Sequence, residues 1–145
     1  MINDSLKKLL NSADYFDNIR ILEIIDYYDG PKIFTFLTQS SDYFLAYFCD
    51  NSEECIWWLY VPINKYLLKK IKENKITIKS FFELSHVSYL VKKKYDGTIV
   101  ETKEYLYDEI MQSDELMDYI PNDDVYLDKL EEGIIIKTVN LNALS

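Results

Sequence analysis

The chain has 145 residues, enough for one domain with a real core, and its 48% hydrophobic and 28% charged residues exclude a disordered polymer. A formal net charge of −9 excludes a general phosphate-backbone binder, which needs a lysine and arginine surplus to release counterions. Only three glycines are present, which excludes a glycine-rich phosphate cradle, and no apolar run approaches the roughly 18 residues of a membrane span.

Residues 4–17 read as a short amphipathic helix or arm, with Asp4 or Ser5 as its cap and Leu6, Leu9 and Leu10 on its apolar side. Four strands are then predicted in quick succession. Arg20 to Tyr28 is the first, closed by Asp29-Gly30-Pro31, and Ile33 to Thr38 is the second. Tyr43 to Cys49 follows the polar turn at Gln39 to Asp42, and Cys55 to Val61 follows the polar run at 50–54. The short spacings favour antiparallel pairing.

Neither face of the fourth strand is polar. Cys55, Trp57, Leu59 and Val61 point one way, and Ile56, Trp58 and Tyr60 the other. One face is therefore expected under helices, and the other must be covered by further segments or by a partner. Trp57 or Trp58, but not both, is expected in the core. Thirteen tyrosines and seven phenylalanines in so short a chain add weight to a contact surface. Tyr43, Tyr47, Trp57, Trp58 and Tyr60 are the candidate interface residues, because tyrosine and tryptophan anchor many interfaces.

Beyond Pro62, Asn64 suits the N-cap of a helix whose apolar stripe is Tyr66, Leu67, Leu68 and Ile71, with Lys65, Lys69, Lys70 and Lys72 opposite. Asn74 suits its terminator, and Thr77 a cap for a second helix through Phe81, Phe82 and Leu84. His86 to Lys93 is a predicted strand. Tyr95-Asp96-Gly97-Thr98 then reads as a type I′ hairpin turn, with Ile99 to Lys103 returning antiparallel. This hairpin either extends the first sheet or forms a smaller one. The segment 101–132 is acidic; Ser113 suits a cap for a helical turn over 114–118, ended by Pro121. The run 134–139 is the expected last strand, returning to an edge.

Catalytic chemistry has little to stand on. His86 is the single histidine, so a multi-histidine metal site is excluded, and no nucleophile is tied to it by spacing. Cys49 and Cys55 are spaced to face each other across a hairpin but form no disulfide framework or zinc site. The start MINDSLKKLL has no long apolar core, so a cytoplasmic setting with reduced thiols is expected. Asp123, Asp124, Asp128, Glu131 and Glu132 lack the order of a calcium loop. No catalytic residue, metal or cofactor is assigned. An enzyme would need a concave pocket where His86 or a carboxylate pair converges. The lysines of the central helix, with Lys92, Lys93 and Lys94, read first as solvated faces. Arg20 is the single arginine, which makes direct nucleic-acid contact an unfavoured expectation.

Several short stretches, taken together, resemble a known pattern. They are Leu22-Glu23-Ile24 with Tyr28-Asp29-Gly30-Pro31, Phe44-Leu45-Ala46, Asp50, Trp58-Leu59-Tyr60-Val61-Pro62-Ile63, and Ile76-Thr77-Ile78 with Phe81. The pattern is similar to that of a family of small bacterial domains of unknown function and covers about residues 20–85. The resemblance implies an intact folded domain of bacterial or phage type and carries over no catalytic residues.

The expectation is thus a single α+β domain over 1–145, with a twisted, mainly antiparallel sheet packed by two or three helices. The expected role is a non-enzymatic protein-interaction or regulatory module, its partner being another protein or a second copy of itself. The alternative is an acidic inhibitor that imitates nucleic acid through the segment 101–132 and blocks a nucleic-acid-binding protein.

Overall fold

A computed structural model describes residues 15–27, 31–121 and 125–129. Of the expected helix or arm at 4–17, residues 4–14 lie outside the described residues and 15–17 form a turn rather than helix. The expected strand at 134–139 also lies outside the described residues. Six strands form one antiparallel meander in the order β1-β2-β3-β4-β5-β6. They are β1 (Arg20–Tyr27), β2 (Pro31–Leu37), β3 (Tyr43–Asn51), β4 (Cys55–Pro62), β5 (Val87–Lys94) and β6 (Ile99–Leu106). Between β4 and β5 lie α1 (Lys65–Lys72) and α2 (Ile78–Ser85), and after β6 comes α3 (Tyr107–Met111), with 3-10 turns at Met117–Tyr119 and Leu127–Lys129.

The α+β expectation is corrected by this arrangement: the molecule is mainly β. Its three α-helices hold eight, eight and five residues, against six strands of seven to nine. The cause is the hairpin at 87–106. It does not form a smaller sheet but joins β4 through β5, from Tyr60 opposite Tyr89 to Cys55 opposite Lys94.

Each strand divides its side chains between two cores, as period-two alternation requires. On one face Ile25, Ile33, Leu45, Tyr47, Leu59 and Val61 meet Ile71 of α1, Ile78, Phe81 and Phe82 of α2, and Tyr107 and Ile110 of α3. On the other, Phe34, Phe36, Phe44, Trp58, Tyr60 and Tyr89 form a layer of rings joined by Ile21, Ile24, Ala46 and Val91. Tyr15 and Phe16, in the turn before β1, belong to this second core. Phe16 is its hub: its ring centroid lies 4.9 Å from that of Tyr60, 5.2 Å from Phe44 and 5.8 Å from Tyr89. The edge-to-face angles of 72° and 83° to Tyr60 and Phe44 set ring edges against ring faces.

Local sequence explains the helix ends. Asn64 Oδ1 accepts the Leu67 N–H at 2.8 Å and so begins α1. Asn74, at φ 57°, donates its N–H to the Ile71 carbonyl while the Lys75 N–H reaches Lys70, a Schellman-type ending. Thr77 Oγ1 accepts the Ser80 N–H at 3.1 Å to begin α2. Ser113 acts as expected, its Oγ accepting the Leu116 N–H at 3.2 Å.

The turn joining β5 to β6 differs from the type I′ expectation. Gly97 has φ 96°, but Asp96 is not in the positive-φ region that type I′ requires. Instead Gly97 N–H donates to the Lys94 carbonyl and Lys94 N–H to the Thr98 carbonyl. This is a three-residue loop with glycine in the left-handed position. Asp96 Oδ1 accepts the Thr98 N–H at 2.9 Å, which holds its carboxyl below the usual range.

Candidate interaction edge

The two adjacent tryptophans part company as the alternation demands. Trp58 is buried among the rings, edge-on to Phe34 at 5.2 Å and to Phe48 at 5.9 Å. Trp57 is half-buried on the opposite face, outside both cores, with Lys92 Nζ 5.3 Å from its ring centroid. Tyr60 is fully buried, and Tyr47 is buried against Phe82. Tyr43 packs partly buried beside the helical core. Of the five sequence candidates, Trp58, Tyr60 and Tyr47 are therefore core residues of this chain, while Trp57 keeps substantial exposure.

Burial also governs the titratable groups inside. It pushes the Tyr60 phenol up, and it pushes Tyr89 up to about 12, with Glu104 adding to the rise. Tyr15 is raised by burial and by its hydrogen bond to Asp42. Lys93, half-buried near Tyr60, is lowered by desolvation, with Asp17 opposing the shift. Cys49 sits at the bulge between Phe48 and Asp50, packed beside the helical core, and burial raises its thiol. Both cysteines are free. His86 is exposed and closes α2 in a positive-φ conformation, its N–H donating to Phe82 and its carbonyl accepting from Tyr107. Among the described residues no group of three or more His, Cys, Asp or Glu could hold a metal, and no helix is long and apolar enough to cross a membrane.

With both sheet faces filled from within the chain, the edges are what the sheet still offers. β1 is a poor template for another strand: its register against β2 shifts three times, and its Glu23 is tied to Lys72 of α1 at 2.7 Å. β6 is more regular. Its pairing with β5 runs unbroken from Leu106 to Glu101, with one shift between Lys92 and Lys93 that makes Val100 the extra residue. No other strand among the described residues pairs with it. Val100, Glu101, Lys103, Glu104 and Leu106 are exposed.

Hydrogen bonds at the end of β6 fix the direction of its backbone. Tyr107 N–H donates inward to the His86 carbonyl at 2.8 Å, whereas Leu106 N–H is taken by Glu109 Oε1 at 2.8 Å. Antiparallel alternation then turns Tyr105, Lys103 and Glu101 toward β5 and leaves the N–H and C=O of Thr102 and Glu104 facing outward. Sequence reasoning missed this edge because strand order is not written in any one strand. The available signal was the mixed-sign run Glu101-Thr102-Lys103-Glu104 on the last hairpin strand.

Searches of curated proteins and of solved structures return no match. A family model described as a family of unknown function (DUF6575) matches residues 7–143, well beyond the stretch that carried the sequence resemblance. The chain belongs to that family.

Proposed function

We propose that this protein is a non-enzymatic protein-interaction or regulatory module of a bacterial or phage system, acting in the cytoplasm through a sheet edge. The observation that carries the reading is the outward backbone row of β6, which lacks a strand partner among the described residues while both faces of the sheet are packed. Strand addition to such an edge is a general mode of protein recognition. Half-buried Trp57 of β4, with Lys92 of β5 beside it, adds an aromatic anchor on the sheet face two strands in from that edge. The test is capture from the native host with the wild type and with Thr102→Pro as baits. A protein retained by the first and lost by the second supports the reading. Equal capture by both, or none by either, counts against it.

A second reading is the acidic inhibitor. Asp108, Glu109, Asp114, Glu115 and Asp118 are all exposed, and no basic residue lies between Lys103 and Lys129. Such a surface repels nucleic acid and attracts its basic binders. Salt-sensitive binding to a basic nuclease, lost when these five acids are neutralised, supports it; no binding at low salt removes it.

A further inference from the structure

We propose that the occupant of the β6 edge is a second copy of this chain, paired antiparallel through β6 about a two-fold axis at Thr102. The proposal deepens the interaction reading above and rests on it. An isologous antiparallel contact requires a two-fold axis perpendicular to the sheet, so a residue faces a partner residue of the same parity and the axis passes through one residue. That leaves few registers for β6, and its charges separate them. An axis at Glu101, Lys103 or Glu104 sets two like charges directly opposite each other, which is destabilising. An axis at Val100 runs the pairing into the turn at Gly97, and one at Tyr105 runs it into α3.

Thr102 is the centre that avoids all of these. Glu101 of each copy then faces Lys103 of the other, twice over. The extra residue at Val100 puts Ile99 on the ring face while Tyr105 stays on the helical face, so the charged pairs close the ladder on that side. On the other side Thr102 meets Thr102, and Val100 meets Glu104, with no like-charge pair. The backbone agrees with the charges: Thr102 is one of the residues whose N–H and C=O face outward, so the central pair exchanges two hydrogen bonds. Charged residues on an edge strand normally block pairing with other sheets. Here the same charges block the registers centred on Glu101, Lys103 and Glu104, and the turn and α3 block those centred on Val100 and Tyr105. The extra residue at Val100 keeps the ladder short, which suits a closed dimer rather than an open-ended fibre. The two six-stranded sheets become continuous, with both helical layers on the same side.

The experiment is sedimentation or light-scattering mass at physiological ionic strength, where the Debye length of about 8 Å screens the repulsion between two acidic chains. The wild type is expected at the mass of a dimer. Glu101→Lys and Lys103→Glu each place like charges across the axis, and each is expected at the mass of a monomer with an unchanged circular dichroism spectrum. An equimolar mixture of the two variants is expected to recover the dimer mass. One chain then carries lysine at both positions and the other glutamate at both, so opposite charges meet again across the axis. Thr102→Pro removes an outward N–H without touching the β5 ladder, and is expected to be monomeric and folded. A monomeric wild type, a dimer indifferent to these changes, or a mixture that stays monomeric overturns the proposal. A monomeric wild type that still captures a host protein through β6 overturns this inference alone; one that captures nothing also removes the interaction reading.

Discussion

Lys93 Nζ stands 3.5 Å from the hydroxyl oxygen of Tyr60, and donates to a phenol that is fully buried in the layer of rings. Desolvation acts on the two groups in opposite directions, since each is held toward its neutral form. A cation and a phenol at the edge of a ring layer thus share one low-dielectric environment, and each contributes a different pH dependence to stability.

For the phenols, the folded-state pKa lies above the unfolded value, so folded chains keep protons that unfolded chains lose. Stability is therefore full below the ordinary tyrosine value of 10.0 and falls as pH rises through and beyond it, with Tyr15, Tyr60 and Tyr89 all contributing. Lys93 acts the other way. Its folded pKa lies below the ordinary 10.5, so it costs stability at neutral pH and that cost is relieved as pH rises between the two values. Urea unfolding across a pH series checks both signs. Tyr60→Phe should shallow the alkaline decline, and Lys93→Met should raise stability at neutral pH. A Tyr60→Phe decline as steep as wild type would show that Tyr60 ionises normally in the folded chain.

The paired tryptophans make a second, internally controlled comparison. Trp58→Ala empties a site enclosed by Phe34 and Phe48 and should cost about 3–5 kcal/mol. Trp57→Ala removes a half-exposed ring and its contact with Lys92, and should cost about 1–2 kcal/mol. Denaturant midpoints of the two variants measure the difference. Equal losses would place Trp57 in a core, contrary to the alternation of β4.

Much of this was legible locally. Period-two patterning located four successive strands and left neither face polar, so that the second face called for cover by further segments or by a partner. Asn64, Asn74, Thr77 and Ser113 marked helix ends through their own side chains or backbone. The balance of helix to sheet was harder to see, because nothing within 86–103 says whether it pairs with β4 or stands apart. The identity of the cover on the ring face was also hidden: Phe16 reads as one apolar residue near the end of an amphipathic helix or arm, yet it packs against Phe36, Phe44, Tyr60 and Tyr89. Contacts between distant segments decide both points. The candidate rings Tyr47, Trp58 and Tyr60 were recognisable as important residues, but propensity for strands and fitness for interfaces draw on the same side chains. Only the cover distinguishes a core ring from an exposed one.

The helical layer allows a third prediction, which ranks two kinds of polar contact. Asn64 satisfies an otherwise unpaired N–H at the start of α1, and Asn64→Ala should cost about 1 kcal/mol. Thr77→Ala should cost a similar amount at α2, where Thr77 also holds the Ser80 hydroxyl at 3.0 Å. The Lys72–Glu23 ion pair has a shorter contact, 2.7 Å, and links the helix to the edge of the sheet. Both of its side chains are about a third exposed or more, so water and salt screen the pair and its side-chain ordering offsets much of the Coulomb gain. Glu23→Gln should therefore change stability by less than about 1 kcal/mol and lose even that at high salt, while the two cap variants keep their deficits. A salt-insensitive loss at Glu23 as large as that at Asn64 would show that the pair is held in a drier setting than its exposure implies.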